Sequence, residues 1–342
     1  MGTRGSQPKE SSRPTIKRIP RRLLQISLTL LAITPFAFFL YKEWPSFQSA
    51  LQAVDWPTYF GAQILLIPIM FLMGVLPWIS LRFLGESFSL WKATGIYFFT
   101  QLFKYLPGGF WAFPGRMAVY RIQGVGQTQS VVSVFREVIA LFLGAAVIGL
   151  IGLLQGLSIL GSLQAALGIG IVVIMAALAL TQLPWFWKLL SSMRWLRTSS
   201  ISAYTSLDRK FINLRWLPRA LLVSVLFWLL FGLPFRQLAA AINPEGQTLS
   251  WIEASSIFAL AWCAGFVVVV VPAGIGVREG VLTLLLTSFM PAGAALSLAL
   301  LARLAWLIAE GFWILVSLVW INRSPEISWE ALRRSPDSTD NG

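Results

Sequence analysis

Ten residues, "VPAGIGVREG" at 271–280, interrupt an apolar run from Ile257 to Met290 in which Arg278 and Glu279 carry the only charges. A proline ends a helix because it lacks an N–H and its ring clashes with the preceding turn. Gly274 and Gly276 permit positive φ and close backbone approach. The next helix then opens near Val277 with its free N–H groups aimed at whatever fills the gap, which is the geometry of an anion site. Arg278, in that first turn, opposes the helix dipole, so a negative group bound beside it explains its place; Glu279 complements the dipole. Adjacent residues on a helix point about 100° apart, so these two are poor partners for each other. Glu279 is better placed to serve Arg303 or Arg116 across the bundle, and Arg303 and Glu310, seven apart, share a helical face.

A second stretch has the same design. "YLPGGFWAFPGR" at 105–116 breaks an apolar run with Pro107 and Gly108 and ends on Arg116, and Arg136 with Glu137 lie in the apolar segment that follows. An arginine near the bilayer centre costs at least ~2.5 kcal/mol even on lenient scales, so each needs an acid, water or a ligand. The competing reading is structural: such breaks also arise as kinks, and an arginine near a helix end can snorkel to the interface. That reading suits Lys104, Arg82 and Arg121, which the loop charges leave nearer the cytoplasmic surface.

These residues need a membrane around them. The chain has 342 residues, of which 56% are hydrophobic and only 12% charged, with a mean hydropathy of +0.72. Those values lie outside the soluble range and define an all-α polytopic membrane protein. The net charge of +13 does not indicate nucleic acid, because 12 of the 13 charges fall in residues 1–22 and 183–219, both flanking apolar spans. They mark the cytoplasmic face, with anionic lipid as the neighbour. The chain has no histidine, which removes His-based triads and relays and most zinc sites; no metal or other cofactor is expected. The single cysteine, Cys263, reads as a small buried hydrophobe.

Apolar runs long enough to span fall at about 23–41, 58–81, 131–154, 159–182, 218–240 and 296–320. The first follows a basic tail, as a signal peptide does, but it has spanning length and no small-x-small cleavage site directly after it, so it reads as a retained helix. Regions 93–116 and 251–290 do not fit the template. If 93–116 crossed completely, the basic loop would fall outside. If it dips in and returns, every loop obeys the positive-inside rule and both termini are cytoplasmic. The expectation is six full spans and two interrupted or re-entrant hairpins entering from opposite faces, in an approximate inverted repeat. Around them lie a basic N-terminal tail (1–22), one membrane domain (23–322) with a basic, aromatic-rich amphipathic loop (183–217), and a disordered cytoplasmic tail (323–342).

The blocks "YLPGGFWAFPGRMAVYR", "FREVIALFLGAAVIGL", "VVPAGIGVREGVLTLLL" and "LLARLAWLIAEGFW" resemble the signature blocks of the flippase-like membrane region of lysylphosphatidylglycerol synthetases and of related stand-alone proteins. The resemblance runs over roughly 20–322. It implies an integral protein of the cytoplasmic membrane that moves or presents a phospholipid or lipid-linked anionic substrate. The family's motif positions fall here on Pro107, Gly108, Gly115, Arg116, Arg136, Pro272, Gly274, Gly276, Arg278, Glu279 and Arg303. Only about 20 polar residues follow the membrane region where the synthetases carry a soluble aminoacyl-transfer domain, so lysyl transfer is not implied.

The expectation is therefore a non-enzymatic flippase-like protein in which Arg116, Arg136, Pro272, Gly274, Gly276, Arg278, Glu279 and Arg303 hold the lipid phosphate. No Gly-rich nucleotide loop ending in Gly-Lys-Ser/Thr is present, so transport would be downhill or ion-coupled, with Glu137, Glu279 and Glu310 as candidate proton carriers. The alternatives are a non-catalytic membrane partner of a lipid-modifying enzyme or glycosyltransferase and, less favoured by the absent catalytic motifs, an intramembrane lipid transferase.

Overall fold

The computed structural model describes residues 41, 44–52, 54–105, 111–156, 214–242, 249–267 and 276–323. The described elements are helical: α1 (Trp44–Gln52), α2 (Trp56–Phe83), α3 (Leu90–Gln101) running into a 3-10 turn (Leu102–Tyr105), α4 (Ala112–Ile122), α5 (Gln127–Gly156), a 3-10 turn (Leu214–Trp216) leading into α6 (Leu217–Ile242), α7 (Trp251–Val267), α8 (Val277–Leu286) and α9 (Ala292–Arg323). Four helices have the length and apolar character to cross a membrane: Trp56–Phe83, Gln127–Gln155, Leu214–Ile242 and Ala292–Ile321. They correspond to four of the six expected spans. The other two, 23–41 and 159–182, and nearly all of the basic loop and both tails, lie outside the described residues.

The four long helices pack by the means available where lipid offers no hydrophobic drive: small residues at the crossings and hydroxyls bonded across them. Ser224 Oγ and Trp228 Nε1 both donate to the Leu141 carbonyl, the latter at 2.9 Å, and Ser256 Oγ donates to the Ile148 carbonyl at 2.9 Å. The outward faces are apolar and exposed, with Ile64, Leu154, Leu222, Leu315 and Val319 among them, as lipid contact requires.

Side-chain contacts fix the direction of each helix. At one end Arg219 lies 5.1 Å from the Phe83 ring and Arg136 lies 5.0 Å from the Trp216 ring, which brings together the C-terminus of α2 and the N-termini of α5 and α6. At the other end the Asp55 amide donates to the Ala241 carbonyl at 2.8 Å, and Gln63 Nε2 donates to the Ala305 carbonyl at 3.0 Å. Helix α2 is therefore antiparallel to α6 and parallel to α9.

The shorter helices form two hairpins in this frame. Trp78 Nε1 donates to the Phe88 carbonyl, and the Phe88 ring meets Tyr120 at 6.1 Å, so the start of α3 and the end of α4 share the Phe83 end. Helix α7 begins toward the opposite end, where a Cβ on Gly152, near the C-terminus of α5, would meet Ser256 in the second turn of α7, and α8 leads back to that end and into α9. Each half of the described chain thus reads long helix, pair of short helices, long helix, and the two pairs start from opposite ends of the bundle.

Candidate functional site

The end of α7 and the start of α4 meet inside the bundle. Phe266, in the last turn of α7, packs on Phe113 in the first turn of α4 with ring centroids 5.9 Å apart, and on Phe142 of α5 at 4.8 Å. Of the residues expected at the breaks, Pro107, Gly108, Pro272 and Gly274 lie outside the described residues. What is described is the pair of helices that leave the breaks, each carrying its arginine.

Arg116 is buried and neutralised. Its Nη1 pairs with Glu137 Oε2 on α5, its Nε donates to Thr100 Oγ1 at 3.0 Å, and its guanidinium lies 4.1 Å from the Tyr97 ring centroid. Glu137 also accepts from the Tyr120 hydroxyl at 3.3 Å and from Ser133 at 3.4 Å. A guanidinium and a carboxylate this fully supplied with partners form a closed network. Arg136, the neighbour of Glu137, has its guanidinium 5.0 Å from the Trp216 ring centroid.

Arg278 is held differently. Gly276 has φ +85, a conformation that favours glycine, and its amide donates to Glu279 Oε2 at 2.7 Å, so the acid expected to complement the helix dipole caps the helix start. Arg278 follows in the first turn of α8. A Cβ on Gly265 would come within 2.7 Å of the Arg278 Cβ, so only glycine lets α7 pass this closely. The Arg278 guanidinium carbon then lies 4.6 Å from the centroids of both Phe258 and Trp306, between α7 and α9. The residue is 6% exposed, and its Nη2 has no hydrogen-bond partner among the described residues. Ring faces stabilise the cation without using its N–H donors.

Around Arg278, Glu279 Oε1 faces Arg303 Nε at 3.7 Å, and Glu310, one turn beyond Trp306, binds Lys104 and Tyr105. Glu279 therefore serves Arg303, one of the two cations foreseen for it, whereas Arg116 has its own acid. The structure departs from the sequence reading at Lys104, which is a partner of Glu310 inside the bundle rather than a snorkelling interface residue. Sequence reasoning also missed Phe258 and Trp306. Among the described residues of this group three cations, Lys104, Arg278 and Arg303, stand with two carboxylates, Glu279 and Glu310.

Long apolar helices around buried charges and paired short helices define a polytopic α-helical membrane protein. Residues 23–311 match the family described as the lysylphosphatidylglycerol synthase TM region, and the chain belongs to that family. Comparison with curated proteins returns no match.

Proposed function

We propose that the protein translocates or presents a phospholipid or lipid-linked anionic substrate across the cytoplasmic membrane, with Arg278, between Phe258 and Trp306, as the group that grips the lipid's oxyanion. The observation that carries this reading is the buried Nη2 of Arg278, which has no hydrogen-bond partner among the described residues. A buried donor left unsatisfied costs roughly 1–3 kcal/mol, more when charged, and a ligand oxygen removes that cost. Glu279 and Arg303 position the grip; Arg116 and Glu137 hold the first hairpin to α5. The hairpins are read as re-entrant, exposing the site to alternate faces by rocking against the four spans. The reading needs no covalent chemistry.

Purified protein in vesicles carrying a panel of fluorescent lipids tests it. Leaflet exchange that depends on the protein supports transport. Turnover of the lipid without exchange supports a transferase, and neither result, with an enzyme held through purification, supports a scaffold. The sidedness has its own test: with Cys263 replaced, single cysteines at Ser199 and Gln247 are expected to label from the cytoplasmic and external sides respectively. Labelling of both from one side sinks the opposed-hairpin topology.

A further inference from the structure

Both carboxylate oxygens of Glu310 are occupied by donors from consecutive residues at the end of the first hairpin's inward limb. Oε1 accepts from Lys104 Nζ at 2.5 Å and Oε2 from the Tyr105 hydroxyl at 2.5 Å. The donors are more accessible than the acceptor: the Lys104 side chain is 19% exposed against 3% for Glu310, and Tyr105 is exposed. An ammonium and a phenol aimed at two oxygens of one anionic group form a donor set that fits phosphate or carboxylate. One helical turn before Glu310, Trp306 stacks on Arg278, whose Nη2 is unpartnered among the described residues. Glu310 thus lies beside two anion-seeking groups and satisfies one of them.

We propose that Lys104 and Tyr105 are a second arm of the anion site, and that Glu310 fills this arm as a built-in stand-in until an external oxyanion at Arg278 takes it over. The inference rests on the reading of Arg278 as the primary anion grip. Lys104 exchanges one anionic partner for another, so the swap costs far less than breaking the pair outright. Released, Glu310 keeps Arg303 as a cation on its own helical face, two turns away. The 3-10 turn Leu102–Tyr105 is then no longer tied to α9. Occupancy at the second hairpin is in this way coupled to the position of the first, which an inverted pair of hairpins needs if one substrate is to move both. The coupling requires a differential interaction of the ligand with the tied and untied states, and the exchange of partners at Lys104 supplies it.

The test uses the full chain with Cys263→Ala and spin labels on cysteines at Leu102 and Leu304, both exposed and off the ion pair. In nanodiscs of phosphatidylcholine alone, one narrow distance is expected. Phosphatidylglycerol in the nanodisc is expected to add a second, displaced distance; inorganic phosphate doing the same would also support the arm and would assign it to a free anion rather than a headgroup. Glu310→Gln is expected to give the displaced distance without any anion, and Lys104→Met the same. The exchange Lys104→Glu with Glu310→Lys is expected to restore the narrow distance and to abolish the response to anions. A wild-type distance in both single variants, or no response of the wild type to either anion, overturns the proposal. Leaflet exchange measured on the same samples keeps the two readings apart. A distance shift without exchange sinks transport and leaves the arm standing; exchange without a shift sinks the arm alone.

Discussion

The two hairpins carry the same sequence device, a Pro-Gly break followed by an arginine, and use it for different ends. In the first, Arg116 has a carboxylate, a hydroxyl and a ring face as partners, and Glu137 has further donors of its own. In the second, Arg278 has two ring faces, and its Nη2 lacks a hydrogen-bond partner among the described residues. A matched pair uses a cation's N–H donors, whereas ring faces stabilise a cation without using them. The acid beside Arg278 spends its two oxygens elsewhere: Glu279 caps the Gly276 amide and faces Arg303.

This comparison is easiest to break at Glu137. Glu137→Ala leaves Arg116 buried without its acid and is expected to destabilise the protein by about 3–5 kcal/mol. Membrane abundance and the unfolding midpoint in detergent should both fall, and Arg116→Leu added to it should recover much of the loss, because the stranded charge is then gone. If Glu137→Ala leaves abundance and midpoint unchanged, the first hairpin's pair is not structural.

A packing control sharpens the second hairpin. Leu285→Ala, at a position 1% exposed on α8, is expected to cost about 2–5 kcal/mol through the cavity it leaves. It should lower abundance, with transport per folded molecule little changed. A loss of transport in excess of the loss of abundance would mean that α8 packing itself sets the rate.

The four described spans were legible because apolar runs of spanning length announce themselves, and the structure extends them by about a turn or less at each end: 58–81 became Trp56–Phe83, and 218–240 became Leu217–Ile242. The pairing of charges was less legible. Glu310 was placed by its helical face near Arg303, but its donors come from Lys104 and Tyr105, more than 200 positions earlier, and local spacing holds no trace of such a contact. The aromatic clamp was hidden for another reason. In a chain that is 13% aromatic, Phe258 and Trp306 read as core until the guanidinium between them is seen. The short helix Trp44–Gln52 escaped because nine residues are too few for a spanning pattern.

Smaller in effect is the clamp itself. Trp306→Leu removes one ring face from Arg278 while keeping an apolar side chain, and a desolvated cation–π contact contributes about 0.5–2 kcal/mol. The expected result is weaker binding of an anionic lipid, on the order of 2–30-fold by that range, with transport reduced rather than abolished. Trp306→Phe should restore most of it, and unchanged binding in Trp306→Leu would mean that the rings only fill space.

Arg278 is the central residue of the proposed transport, and leaflet exchange in vesicles measures its role most directly. Arg278→Gln removes a buried cation while keeping part of the side-chain stem between the rings, so the protein should insert and accumulate at near-normal levels while exchange of an anionic lipid falls to the protein-free rate. Arg278→Lys should recover only part of the rate, since a point charge lacks the guanidinium's two-pronged grip on an oxyanion. Exchange at the wild-type rate in Arg278→Gln, at equal protein abundance, would make the second break a structural kink and contradict the account.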